Sequence, residues 1–469
     1  MPLLIMKFGG TSVADADAIA RVAAIIMDQQ AEGDSIVAVV SAMSGVTDML
    51  TSGVRAAATG SDAVCRDVAE EILHRTREAA DKLIPASAAE RRSVVTAAEE
   101  LLASYVAVCR SVHVLAEATP RVLDRATSCG ELLVADLLAA HLCTMGASSQ
   151  VVNPAEVIVT DDTFQNALPL PVETAEHCAR HLAPLIAQGV IPVIGGFIGA
   201  TVDGVTTTLG RGGSDFSAAV LGQALAADEV WIWTDVDGVM SADPRLVKDA
   251  RVIPVLSYVE VGELAYFGAA VLHPRTIRPL VDGRIPLRIK NTFRPQASGT
   301  RIEPEANPAP GTVKAVTNIQ GLSMVTVEGR GMLGVPGIAA RTFEAVARCK
   351  ANVLMISQAS SEQSICFVIP AHDVACVCGK LEEEFALEIS RREIDRVGAL
   401  DGVGVVTALG AGMRGIAGVA GRLFTALAQY GVNIIAIAQG SSECSVSIVV
   451  TEEDGESAVR AIHEEVMRR

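Results

Sequence analysis

The sequence predicts an α/β protein: a large part built on a mostly parallel sheet covered on both faces, then a duplicated pair of small strand–helix modules. Three observations carry this. Apolar strand-like runs alternate with helical runs throughout residues 1–290, the pattern of parallel strands joined by crossover helices. Residues 323–370 and 404–451 align without a gap at a shift of 81, which is an internal repeat. Within the first part, Val205–Gly238 sets a glycine turn, a helix and a buried strand ending in carboxylates in close succession. Open α/β sheets place ligands at such strand ends.

A chain of 469 residues has room for two to four domains and a large core. Its net charge of −17 argues against nucleic acid or an anionic membrane as partner, so any anionic ligand needs local cations. No run is read as approaching the roughly 20 apolar residues of a membrane span. The first residues, MPLLIMKFGG, hold an apolar stretch too short for a signal peptide, with no basic segment before it. The ten cysteines are scattered and offer no zinc set, so free thiols in a reducing cytoplasm are expected.

Leu3–Phe8 reads as a strand, and Gly9-Gly10-Thr11-Ser12 as a tight turn into a helix near Ala14. Lys7 therefore stands at a strand's carboxyl end, beside a glycine turn and a helix N-terminus. Such a place cradles phosphate oxygens with N–H groups and sets a point charge on them, although an ordinary strand–helix turn reads the same way. Ser35–Val40 is the next strand, and it runs into Ser41-Ala42-Met43-Ser44-Gly45-Val46-Thr47-Asp48. Those hydroxyls suit ligand contact or helix capping by Ser44 or Thr47. From Ser52 to about Pro120 the composition turns to Ala, Glu and Arg, broken at Pro85, which predicts a surface helical hairpin or bundle. His74 and His113 fall on its helical faces as solvated or core residues. Glu131 opens an apolar helix, where an acid normally partners the dipole. Gln150–Val152 and Val190–Ile194 are further strands.

In the central stretch, Gly210-Arg211-Gly212-Gly213 precedes a helix that Ser214 or Asp215 would cap. A helix N-terminus suits an anion, and Arg211 adds a planar fork that matches a carboxylate or phosphate. Capping alone explains the glycines and Ser214, but not an arginine and an aspartate set in a turn with no apolar role. Glu229–Thr234 reads as a buried strand ending at Asp235. Met240–Arg245 is a loop, Ile285–Lys290 ends the sheet, and Asn291–Gly311 with four prolines is the linker. Each repeat contains a literal GxGxxG, at Gly329 and Gly410, but no acid follows at the spacing that would hold a ribose. Duplicated modules behind a catalytic part suit sensing.

Several long motifs then carry a resemblance: KFGGTSVA at Lys7, SAMSGVTD at Ser41, GEL at Gly130, TTLGRGGSD at Thr207 and WTDVDG at Trp233, with DPR at Asp243, YFGAAVLHPRTI at Tyr266 and KNTFRPQASGT at Lys290. The chain resembles aspartate kinases over nearly its whole length, and its repeats resemble that family's paired ACT modules. The resemblance implies an amino-acid kinase αβα sandwich over residues 1–292, with the helical insertion at 52–120 and a linker at 293–311. It implies a regulatory part over 312–469, with βαββαβ modules at about 320–398 and at 312–319 plus 400–469. The implied reaction is phosphoryl transfer from ATP, with Mg2+, to the side-chain carboxylate of L-aspartate. Lys7, held by Asp215, would meet the transferring group, and the Gly9 and Gly10 amides its oxygens. Arg211 would clamp the α-carboxylate, Glu131 the ammonium, and Ser41 and Thr47 the polar edges. Thr234, Asp235, Met240 and Arg245 match nucleotide-side positions. Many relatives have lysine where this chain has Ala270. ISQASSE and IAQGSSE look like the threonine-sensitive type, so Gln358 and Gln439 are expected to bind an amino-acid effector, threonine before lysine. A cytoplasmic homodimer or higher oligomer through the ACT modules is implied.

Overall fold

The computed structural model describes every residue except 62, 267–271, 273, 306–308, 359–362 and 468–469. It divides into two compact units. The first comprises Met1–Val239, Val252–Tyr258 and Ala270–Ala306; the second comprises Met240–Arg251, Val259–Ala269 and Asn307–Arg469.

The first unit opens with β1 (Leu3–Phe8), α1 (Ala16–Ala31) and β2 (Ser35–Val40), all apolar enough to be buried. Three helices follow, α2 (Val46–Ala58), α3 (Ala63–Leu83) and α4 (Ala89–Leu115), with Pro85 in the break between the last two. Next come α5 (Pro120–Thr127), α6 (Cys129–Thr144), β3 (Ser149–Val152), β4 (Val159–Thr160), α7 (Pro171–His181), α8 (Ala183–Ala187) and β5 (Ile191–Gly195). Then follow β6 (Ile198–Thr201), β7 (Thr206–Thr208), α9 (Gly213–Ala224), β8 (Glu229–Thr234) and β9 (Val255–Ser257). After α10 (Tyr258–Tyr266), which from Val259 on belongs to the second unit, α11 (Pro274–Gly283), β10 (Leu287–Asn291) and β11 (Thr300–Glu303) complete it.

The main sheet runs β3-β5-β2-β1-β8-β10-β11-β9, parallel from β3 to β10. Its last two strands correct the reading of Ile285–Lys290 as the sheet's end and of residues 293–311 as linker. β11 pairs antiparallel with β10 and parallel with β9. Gly299 makes the return, with φ +71° and an added Cβ only 1.9 Å from the Ile289 carbonyl oxygen. A four-residue strand beside prolines carries too little pattern to be read from sequence.

Strand alternation divides β1 between the two faces. Leu4, Met6 and Phe8 join the core beneath α1–α6, while Ile5 and Lys7 face the side of α9. The apolar stretch Pro120–Thr144 corrects the view that no run could span a membrane, since its length and composition suffice. With 78% of its most apolar window buried inside the protein, it is a core helix pair.

The second unit contains the duplicated modules: β12 (Ala315–Glu328), α12 (Ile338–Arg348), β13 (Met355–Gln358), β14 (Ser364–Pro370), α13 (Val374–Glu384) and α14 (Ala386–Ser390). They continue with β15 (Arg396–Leu409), α15 (Val419–Gln429), β16 (Ala436–Gln439), β17 (Ser445–Thr451) and α16 (Gly455–Met467). One sheet, β13-β14-β12-β15-β17-β16, serves both. The repeat is exact in register, because Leu322 opposes Pro370 as Val403 opposes Thr451. The entering segment Ala315–Ile319 pairs with Val405–Leu409 of the second module, and Arg396–Asp401 of β15 pairs back into the first. The GxGxxG glycines have a packing cause. A Cβ on Gly329 would lie 2.4 Å from the Glu393 carbonyl oxygen, and one on Gly410 would lie 2.4 Å from that of Thr312.

The cysteines depart from expectation. Cys349, at the end of α12, and Cys376, on α13, form a disulfide, and the other eight are free. Spacing could not show this, because the pairing depends on two helices lying side by side. The bond closes a span of 27 residues, for which chain entropy allows about 3.5 kcal/mol. Cys349→Ser should lower the unfolding free energy of this module by about that much. In calorimetry, dithiothreitol should destabilise the parent equally and leave the variant unmoved.

Candidate active site

The carboxyl ends of β1, β2 and β8 lie side by side, and the loops leaving them surround a cavity of about 570 Å³. Lys7, Gly9, Gly10, Ser41, Thr47, Glu131, Asp215, Thr234 and Asp235 line it, so nine of the sequence-derived site residues converge. Thr11, Ser44, Phe197 and Ser214 also line it.

Lys7 is 8% exposed and forms an ion pair with Asp215 from the first turn of α9. Close approach is possible because Gly222 of α9 faces the sheet, where a Cβ would stand 2.6 Å from Val230. The expectation that Ser214 or Asp215 caps the helix is overturned. The N-cap is Gly212, at φ +73° and without a side-chain cap, and both polar residues point elsewhere. Asp215 pairs with Lys7, and the Ser214 hydroxyl donates to Glu131 at 2.7 Å. Ser44 and Thr47 likewise leave the cap of α2 to Gly45.

Glu131 is almost wholly buried, at 2% exposure. Its other oxygen accepts from the Phe197 N–H at 2.6 Å. Burial pushes its carboxyl up to about 8, against the Ser214 and Phe197 hydrogen bonds and the charge of Lys7. An acid so placed is far more than a helix-dipole partner.

Of the two amides expected at a phosphate, that of Gly9 is already used, since its N–H donates to the Trp233 carbonyl at 3.0 Å, while Gly10 lines the cavity. A Cβ on Gly10 would lie 3.3 Å from the Ala42 carbonyl oxygen. Behind this turn the Ser12 and Thr292 hydroxyls share a 2.6 Å hydrogen bond in the core. Ser12 belongs to the KFGGTSVA motif, but spacing cannot show its partner 280 residues on.

Arg211 is exposed on the turn, between Gly210 and Gly212, which line the cavity. Met240 and Arg245 belong to the second unit and are not among the lining residues. Arg245 folds back on Asp243, with Nη2 donating to the carboxylate at 2.6 Å. Ala270 lies outside the described residues. Gln358, exposed at the end of β13, borders a separate cavity of about 290 Å³ with Met332, Gly337, Ile338 and Ile365. Gln439 ends β16 at the equivalent place, opposite Val446 as Gln358 is opposite Ile365.

A parallel sheet with a lysine–aspartate pair over a glycine turn defines the class, and comparison with known proteins agrees. Residues 2–291 match the amino acid kinase family, and residues 325–385 and 406–466 each match the ACT domain. The chain belongs to the amino acid kinase family, in its aspartokinase branch with paired ACT domains. It is 38% identical over 462 residues to a chloroplastic bifunctional aspartokinase/homoserine dehydrogenase 2 of Zea mays, covering 97% of this chain and 50% of that protein. The chain thus spans about half the length of the first curated relatives it matches. Escherichia coli aspartokinase III is 30% identical in two crystal structures. Its complex with aspartate and ADP (R-state) superposes with a TM-score of 0.76, covering 99% of this chain and 100% of that one. Its complex with lysine and aspartate (T-state) gives 0.77, covering 99% of each.

The raised Glu131 carboxyl makes a stability prediction. Unfolded, the group ionises near the ordinary glutamate value of about 4.3, so between there and about 8 the folded chain holds the extra proton. Stability therefore falls as pH rises through this window, by about 1.4 kcal/mol per pH unit. Denaturant titrations at pH 6 and pH 8 should show the parent losing about 2–3 kcal/mol more than Glu131→Gln. Equal losses would place Glu131 in a wetter site than this.

Proposed function

We propose that the chain is an aspartate kinase, transferring the terminal phosphoryl group of MgATP to the side-chain carboxylate of L-aspartate. The product is 4-phospho-L-aspartate, an acyl phosphate on the way to lysine, threonine and methionine. The observation that carries this reading is the convergence of Lys7–Asp215, the Gly10 turn and buried Glu131 on one cavity. The aspartate and ADP complex of the E. coli relative supports both substrates.

Phosphoryl transfer asks a protein for positioning and charge neutralisation more than covalent chemistry. A side-chain oxygen of aspartate attacks the terminal phosphorus as the bond to the ADP oxygen breaks. The attacking carboxylate is already ionised at neutral pH, so no general base is needed. Lys7 meets the charge on the transferring group, and Asp215 holds its ammonium in place. Glu131 ionises against the substrate ammonium, Arg211 takes the α-carboxylate, and Ser41 and Thr47 contact the polar edges. Thr234 and Asp235 stand on the nucleotide side. Mg2+ takes one or two carboxylates plus phosphate oxygens, and Asp235 on the cavity wall fits that demand. Bound with ATP, the ion would neutralise phosphate charge.

Lys7→Met should cost about 10²–10³ in turnover with little change in the KM for aspartate, because the charge is needed most in the transition state. A coupled ADP-release assay with aspartate, glutamate and acetylglutamate checks both the substrate and the mutant. A mutant within about fivefold of the parent removes Lys7 from the chemistry.

The ACT modules serve feedback inhibition in this reading, with threonine favoured and lysine second. The cavity at Gln358 meets the uncapped N-terminus of α12 at Gly337, which suits an amino-acid carboxylate, while the glutamine amide offers both donor and acceptor. The lysine complex of the E. coli relative supports an amino-acid effector. The outer strands β13 and β16, with Ile356 51% and Ile437 40% exposed, support a homo-oligomer through these modules. Gln358→Ala should shift threonine inhibition about 5- to 150-fold higher in concentration with uninhibited turnover unchanged. Inhibition curves with threonine and lysine test this, and a parent inhibited by neither ends the effector reading.

A further inference from the structure

Asp124 on α5 is a second wholly buried carboxylate, seven residues before Glu131. Both its oxygens accept from the Gln165 N–H, at 3.1 and 2.9 Å. It also accepts from the Thr208 N–H at 3.0 Å and the Thr208 hydroxyl at 2.6 Å. These partners are neutral, so no described cation compensates the burial, which lifts the carboxyl above its ordinary range. A buried acid paired only with neutral donors is costly, and an apolar residue on this helix face would be cheaper for stability alone.

What the donors share is the turn that carries Arg211. Thr208 ends β7, two residues before Gly210. Gln165 is held at φ +66°, unusual for a side-chain-bearing residue, and its carbonyl lies where a Cβ on Gly210 would stand, 2.7 Å away. Gly210 and Gly212 are both left-handed, at φ +76° and +73°. Glycines there leave the turn with many alternative conformations when it is not tied down. Glu131 holds the far end through Ser214 and, through Phe197, the strand beside it, since the Leu209 N–H donates to the Phe197 carbonyl at 2.9 Å.

We infer that Asp124 is a positioning residue for substrate recognition: it fixes the near end of the Gly210–Gly212 turn so that Arg211 is presented to the α-carboxylate of the amino-acid substrate. This rests on the reading of Arg211 given under the proposed function. Asp124 touches no substrate itself. Helices α5 and α6 thus supply one carboxylate to each end of the arginine turn.

Asp124→Asn keeps the shape but has one acceptor oxygen in place of two, so a donor on Thr208 or Gln165 loses its partner. Steady-state kinetics of the full chain should show the KM for aspartate raised about tenfold and the KM for ATP within twofold of the parent. Thr208→Val, which removes only the hydroxyl, should raise the KM for aspartate about threefold, and the double variant should be no worse than Asp124→Asn. This milder variant keeps the test open if Asp124→Asn fails to fold. A purely structural role would lower the melting temperature and apparent kcat while leaving both KM values alone, and that result overturns the inference. An equal rise in both KM values overturns it too. A parent that turns over no aspartate overturns the site reading and this inference together; an active parent with unmoved constants overturns this inference alone.

Discussion

The ion pair between Lys7 and Asp215 is the constraint around which the first unit is arranged. Lys7 is on a central strand, flanked by β2 and β8, and it can be nearly buried only because a carboxylate meets it there. That requires α9 to cross β1 with its first turn at the strand's carboxyl end. Alternation along β1 turns Lys7 to the α9 face, and Gly222 lets the helix approach. Removing either charge would leave the other stranded in a dry place, so the two are retained or lost together.

Around this pair the protein spends polar groups where stability alone would place apolar ones. Glu131 is buried with two neutral donors and a carboxyl raised to about 8, and Asp124 with three neutral donor groups. Such groups are costly when empty and strengthen when a complementary charge arrives, since a dry site screens little. The same dryness makes geometry matter. Gly212 rather than Ser214 forms the helix cap, which releases the serine hydroxyl to orient Glu131.

The second unit depends on a different constraint, the exact repetition of register across one sheet. Each module takes its outer strand pair from its own sequence and part of its central ladder from the strand leading into the other. The glycines at 329 and 410 are required at this exchange, where the backbone of a neighbouring segment passes within contact of where a Cβ would be. A motif that reads like a dinucleotide turn is thus a packing device.

Much of this was legible in the sequence. The strands Leu3–Phe8, Ser35–Val40 and Glu229–Thr234 were read at their observed bounds, because buried parallel strands are short apolar runs closed by glycine or polar turns. The repeat and the residues gathered on the main cavity were legible for a related reason: local pattern places a residue at a strand end, and parallel topology brings strand ends together. Tertiary structure alone decided the rest. It paired Cys349 with Cys376, drew residues 240–251 into the second unit, added β11 to the main sheet, and made Asp124 an anchor of the arginine turn. Each of these joins groups from separate elements by direction and distance, and periodicity along a chain encodes which face a residue occupies but not what it will meet there.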